Sequence, residues 1–225
     1  MTAPRPPFVP CPEEALQALT RKSKRLGAVI SRLGPIQRLG DPDLFSAVVR
    51  AITGQQISSK AQATLMRRLA EALGSITPEA VCRAGAPALH ALGLSERKAA
   101  CILRFAEQIQ SGDICPETLA ALPDAEAIAC LCQIKGVGVW TAEMILLFCL
   151  HRPDILSFDD FGIRRGLRMI MRRREISRAA FEQFRRRVSP YGSVASLYLW
   201  AVAGGALLEL NDPAAAASPR SKRCP

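Results

Sequence analysis

The chain has 225 residues, 49% of them hydrophobic, enough for one or two compact lobes with real cores. Thirty Lys plus Arg against twenty Asp plus Glu give a formal charge of +10, which favours a polyanionic partner, a balance that ribosomal and membrane-surface proteins share. The apolar run from Val194 to Leu208 is shorter than the ~20 residues needed to span a bilayer and contains Gly204 and Gly205, so no membrane span is expected.

The opening MTAPRPPFVPCPEE puts prolines and charges where a secretory signal needs an apolar core, so the expected location is the cytoplasm, nucleoid-associated if the source is bacterial. Helical periodicity then recurs over 12–33, 43–54, 58–73, 95–111, 124–132, 138–150, 160–172, 178–188 and 193–208, with Gly34, Gly74 and Gly112 as stops. No stretch alternates as a strand, and the fold class is all-α. Asp41 and Pro42 read as N-cap and first residue of the 43–54 helix, and Ser58 as cap of the next. Between those helices stand Gln55 and Gln56. Two readings of them stay open on residue type alone: a polar loop, or long neutral side chains that hydrogen-bond an orphaned base.

Further along, Gly136 and Gly138 bracket Val137 in IKGVGVWTAEM, after Leu131 and Ile134 and ahead of Thr141, Ala142 and a helix running to Leu150. Two glycines that close allow a tight turn and leave amides free at a helix start, where the dipole also favours an anion. Such a turn can grip a phosphate without reading bases; alone it reads better as an ordinary inter-helix turn, and the flanking residues are what favour the phosphate site. On the helix that follows, Trp140, Met144 and Leu147 share a face, and the last two read as core. Glu143, in that helix's first turn, is favourable to the dipole.

Asp159 and Asp160 precede FGIRRGLRMIM, whose Ile163, Leu167 and Ile170 recur at helical spacing. Both acids therefore stand at a helix N-terminus. One serves as cap, and the other is left beside the positive end of the dipole near Arg164, Arg165, Arg168, Arg172, Arg173 and Arg174. A carboxylate in a basic surface suits a reaction that develops positive charge, such as an oxocarbenium-like sugar formed as a glycosidic bond breaks.

These motifs together resemble the 3-methyladenine DNA glycosylase II family, alkylbase glycosylases of the helix-hairpin-helix/GPD superfamily, over most of residues 10–210. Four blocks carry the resemblance in order: LFSAVVRAITGQQISSKAQATLMRRL, LGLSERKAACILRFA, the hairpin block and PYGSVASLYLW. The resemblance implies a two-lobed fold with the active-site cleft between lobes. The lobes would be 12–40 with 160–210, and a central barrel over 41–159 with the hairpin motif at 124–150, flanked by a flexible start (1–11) and a flexible basic tail (211–225). It also implies a monofunctional hydrolase of base excision repair that flips alkylated purines from duplex DNA and leaves an abasic site.

Residue by residue, the resemblance makes Asp160 the catalytic acid and Asp159 its capping or supporting neighbour. Trp140, Phe161, Trp200 and Met144 fall on the base pocket, whose rings favour a cationic purine by roughly 0.5–2 kcal/mol. Some relatives carry a tyrosine in place of Phe161 and an aromatic in place of Met144, which leaves the range of bases open. Gln56 becomes the wedge in the DNA, and Gln55 holds the loop or the opposite strand. Gly136, Val137, Gly138 and Thr141 bind the DNA backbone, and the main-chain carbonyls of Cys132, Ile134 and Val137 hold Na⁺ or K⁺. Where strand-cutting relatives carry a Schiff-base lysine this chain has Trp140, which favours hydrolysis alone.

The eight cysteines, at 11, 82, 101, 115, 130, 132, 149 and 224, lie mostly on apolar helix faces with no CxxC pair and read as buried thiols. Only Cys224 lies where relatives hold an iron–sulfur cluster, so no cluster and no required cofactor is expected. His90 and His151 are too few for a zinc site. The expected partner is double-stranded DNA containing damaged bases, and the expected state is a monomer. Two alternatives are a non-catalytic helix-hairpin-helix DNA-binding module, with Asp160 only a cap, and a glycosylase/lyase for oxidised or deaminated bases.

Overall fold

The computed structural model describes residues 7–41 and 43–215. Among them twelve helices form and no strand element: α1 Glu13–Lys22, α2 Lys24–Leu33, α3 Leu44–Gly54, α4 Ser59–Leu73, α5 Pro78–Ala91, α6 Glu96–Gln110, α7 Pro116–Ala121, α8 Asp124–Leu131, α9 Val139–Phe148, α10 Phe161–Met171, α11 Arg178–Val188 and α12 Gly192–Ala203. No helix among the described residues is long and apolar enough to cross a membrane.

Several starts follow the capping rule that a side-chain oxygen accepts an orphan amide two or three residues on. Ser58, Thr77, Ser95 and Ser177 each accept from the third residue after them. The cap of α3 is Asp43 rather than Asp41, and Pro42 lies outside the described residues. Asp41 instead pairs with Arg50 at 2.7 Å. The apolar period over 12–33 is divided at Ser23, whose extended backbone ends α1 while its hydroxyl caps α2. The last helix stops at Ala203, where Gly204 is the C-cap and Gly205 takes φ +88°.

The chain divides into two compact units. The first comprises Leu39–His151, joined by Pro7, and the second Phe8–Arg38 with the residues from Arg152 onward. In the first unit, Phe45 of α3 stacks on Phe105 of α6 at 5.4 Å, and Ile52, Leu69, Leu89, Ile102 and Leu147 are buried in the same unit. In the second, α10 and α12 approach so closely that a Cβ on Gly166 would lie 2.1 Å from the Leu199 carbonyl oxygen. Leu19, Leu26, Ile163, Phe181, Phe184 and Tyr198 pack around that crossing.

Both chain ends are tied down where they are described. Val9 is buried and its N–H donates to the Arg38 carbonyl at 2.8 Å. Asp212, expected within a flexible tail, accepts two bonds from Arg168 at 3.0 and 2.6 Å; residues 216–225 lie outside the described residues. Of the cysteines, Cys101 and Cys149 are buried, Cys115 is exposed, and Cys11, Cys82, Cys130 and Cys132 are half-buried; Cys224 is not among the described residues. Apolar helix faces therefore bury fewer thiols than the sequence suggests.

Candidate active site

The acid belongs to the second unit. The loop leading to it is pinned by the start of α12, in which serines replace the apolar residues a core helix would otherwise carry. Ser193 donates to the Arg152 carbonyl at 2.5 Å and accepts from the Ile155 amide at 3.0 Å, while Ser196 donates to the Ile155 carbonyl at 2.9 Å. Asp154 accepts from the Gly192 amide at 2.9 Å and from the Ser189 hydroxyl at 2.6 Å. Four of these hydrogen bonds hold residues 152–155 on α12 and the fifth ties Asp154 to Ser189 at the end of α11, so the path of the chain ahead of α10 is fixed.

Asp160 is itself the N-cap of α10. Its Oδ1 accepts from the Ile163 amide at 2.7 Å and from Trp200 Nε1 at 2.9 Å. Capping therefore falls to the candidate catalytic residue, whereas Asp159, expected in that role, is exposed. At 7% exposure Asp160 is a buried charged residue, rare among the described residues. Gly162 lies beneath this pair: a Cβ there would stand 2.7 Å from Trp200 Cδ1 and 3.2 Å from Asp160 Oδ1. Phe161, next along the chain, is 66% exposed.

Three arginines of α10, Arg164, Arg165 and Arg168, are already engaged. Arg168 and Arg165 both reach Asp212, at 2.6 and 3.6 Å, and the guanidinium holds the Asp212 carboxyl below its usual range. Arg164 and Arg178 lie over the Phe158 ring, at 5.3 and 4.6 Å from its centre, and Arg168 over Phe161 at 6.0 Å. Arg172, the C-cap of α10, stands at the far end of the helix, about 18 Å along its axis from the N-cap Asp160, with Arg173 and Arg174 following it.

The hairpin belongs to the first unit. Cys132 closes α8, the Val137 amide donates to the Ile134 carbonyl at 3.0 Å, and Gly136 takes φ +95°, an angle other residues resist. Gly138 then starts α9 in extended conformation with no side-chain cap, so the first amides of α9 form a start of the kind that binds anions. Val139 and Trp140 are exposed on that first turn, Trp140 at 46%, while Thr141 is buried. Met144, one turn on, is half-buried, and Leu147 is core.

In this turn the Ile134 carbonyl gives one lone pair to the Val137 amide and keeps a second, a hard oxygen donor of the kind a monovalent cation takes.

The glutamine loop reaches the hairpin. Gln55 Nε2 donates to the Gly136 carbonyl at 2.7 Å, so Gln55 is a strut between the α3–α4 link and the turn. Gln56, exposed beside it, takes φ +58°, a strained angle for a glutamine that costs about 1–3 kcal/mol. Lys98 was not singled out by the sequence. Its ammonium donates to the carbonyls of Thr53 and Gln55 at 2.9 and 2.7 Å, and burial lowers its pKa. Within α6 its spacing reads as one polar position among several, and no local signal marks it.

Comparison with known proteins agrees with these features. The model of the HhH-GPD superfamily of base excision DNA repair proteins matches residues 49–190. The chain is 31% identical over 190 residues to DNA-3-methyladenine glycosylase 1 of Schizosaccharomyces pombe, covering 82% of this chain and 83% of the relative. Among solved structures, DNA-3-methyladenine glycosidase of Bacillus halodurans superposes with a TM-score of 0.78 at 32% identity, covering 87% of this chain and 91% of that one. The S. pombe 3-methyladenine DNA glycosylase in complex with abasic DNA gives 0.74 at 29% identity, covering 85% and 97%.

Proposed function

The chain belongs to the HhH-GPD superfamily of base excision DNA repair proteins, and we propose that it is a monofunctional DNA glycosylase releasing alkylated purines of the 3-methyladenine type from duplex DNA. The observation that carries this reading is the carboxylate of Asp160, buried and aimed by two donors at one oxygen. A purine alkylated at N3 or N7 is already a cationic leaving group, so its glycosidic bond needs little push. What remains is to stabilise the sugar cation until water adds, and a fixed carboxylate does this without reorganising as charge develops.

Each step has its residues. The hairpin Gly136, Val137 and Gly138 holds a phosphate through the uncapped amides at the start of α9, Gln56 fills the space left by the flipped nucleotide, and Gln55 braces the loop. Thr141, being buried, contributes its place at the start of α9 rather than a surface hydroxyl. Trp140, Met144, Phe161 and Trp200 are the candidates for contact with the base, the three rings selecting positive charge. A Na⁺ or K⁺ on the carbonyls of Cys132, Ile134 and Val137 would add positive charge beside the phosphate. Trp140 offers no amine for a Schiff base, so the product is an abasic site in an unbroken strand. The protein acts as a monomer on damaged double-stranded DNA.

The test is base release from duplexes carrying 3-methyladenine, 7-methylguanine, hypoxanthine, 1,N6-ethenoadenine or 8-oxoguanine, with borohydride added in parallel. Release of methylated purines with no trapped adduct supports the proposal. Release of 8-oxoguanine alone with a trapped adduct, or no release of any base, overturns it.

A further inference from the structure

Lys98 carries two costs. It is a cation in the first turn of a helix, where the dipole opposes positive charge, and its ammonium is partly withdrawn from water. The bonds it gains are to neutral carbonyls, those of Thr53 and Gln55. These oxygens lie at the C-terminal end of α3, where helical carbonyls lack internal partners and the dipole is negative. One lysine therefore clamps the backbone on both sides of Gly54.

The clamp continues outward. Gln55, fixed through its carbonyl, donates its side-chain amide to Gly136 at 2.7 Å, and the next residue is the left-handed Gln56. A non-glycine residue persists at such an angle only where its surroundings hold it. Lys98 and Gly136 both hold the residue that leads into that turn, one through its carbonyl and the other through its side-chain amide. We propose that Lys98 is a positioning residue for base flipping: acting through the carbonyls of Thr53 and Gln55, it keeps the loop 54–57 in the shape that presents Gln56 to the duplex. This rests on the reading of Gln56 as the residue that enters the DNA.

The experiment compares single-turnover release of 7-methylguanine from a fully paired duplex and from the same strand with the lesion in an unpaired bulge, where extrusion costs little. Lys98→Met should slow release from the duplex about tenfold or more and leave release from the bulge within about twofold. Lys98→Arg should recover most of the duplex rate. Gln55→Leu removes the strut from the other side with the ammonium in place, and should give the same duplex-only defect even if Lys98→Met fails to fold. Adding Lys98→Met to Gln56→Ala should slow the duplex reaction no further than Gln56→Ala alone. Equal slowing on both substrates, or an unchanged duplex rate in the Lys98 and Gln55 variants, overturns the proposal. If the wild-type protein releases no base from either substrate, it is the glycosylase reading that has failed.

Discussion

The indole N–H of Trp200 ends 2.9 Å from Oδ1 of Asp160, the same oxygen that accepts the Ile163 amide at 2.7 Å. One atom thus belongs at once to a helix cap and to a bond with a residue 40 positions away. The cap sets where the carboxylate sits, and the indole sets how it is turned.

Replacing Trp200 by Phe keeps a ring in place and removes the donor. A hydrogen bond to a charged group contributes about 1.5–3 kcal/mol, so the rate of alkylpurine release should fall roughly 10- to 100-fold. The cap remains, and the thermal midpoint should move by only a few degrees. Single-turnover rates beside melting curves check both halves; an unchanged rate would mean that the indole does not orient the acid.

Gly162→Ala tests the same contact from below. Its Cβ would stand 2.7 Å from Trp200 Cδ1 and 3.2 Å from Nε1, so the ring must shift away from Asp160. Alanine is the better helix former by about 1 kcal/mol, which works against a loss of stability. Activity should drop by about the same factor as in Trp200→Phe, and the double variant should be no slower than either single one. Additive losses would show that Gly162 acts elsewhere.

The course of the chain was legible where periodicity and caps agree. The hairpin helices, α10 and α12 follow directly from apolar spacing and from the glycines and aspartates around them. Helix α5 was not read, because Gly85, at φ +73° and ψ 167°, and Pro87 interrupt its period from within. Ser23 divided a continuous apolar pattern because its hydroxyl caps Leu26, a local competition that periodicity does not register. At the site, the sequence offered two adjacent acids and not the division of labour between them. Asp160 both caps and meets Trp200, and only the packing of α12 on α10 brings that indole near. Lys98 was invisible for the same reason, since its partners are backbone atoms 45 and 43 positions away.

Asp212 should make the second unit sensitive to acid. Its side chain is 7% exposed and bonded to Arg168, which depresses its pKa below the unfolded value of about 3.9. A depressed carboxylate contributes stability above its unfolded pKa and loses it as pH falls through the folded one. Asp212→Asn should therefore be less stable than wild type at pH 7, and the gap should narrow as pH falls below about 4. Urea unfolding across pH measures this; a gap that is constant with pH would contradict it.

Tyr198 gives the opposite slope. Burial, together with Cys11, pushes its pKa up to about 12, and its hydroxyl donates to the Gly34 carbonyl at 2.7 Å. A raised pKa contributes stability below the unfolded value of about 10 and loses it as pH rises toward the folded one. Tyr198→Phe should cost about 1 kcal/mol at neutral pH and be less steeply destabilised than wild type between about pH 10 and 12. Parallel alkaline denaturation curves for the two proteins would refute this.

The role of Asp160 is open to the cleanest test, because asparagine caps a helix about as well as aspartate and offers the same oxygen to Trp200 and Ile163. In Asp160→Asn the fold and the affinity for damaged duplex DNA should persist while the negative charge is gone. Single-turnover release of 7-methylguanine from that duplex should then fall at least about 100-fold. Release at the wild-type rate by the folded variant would contradict the account.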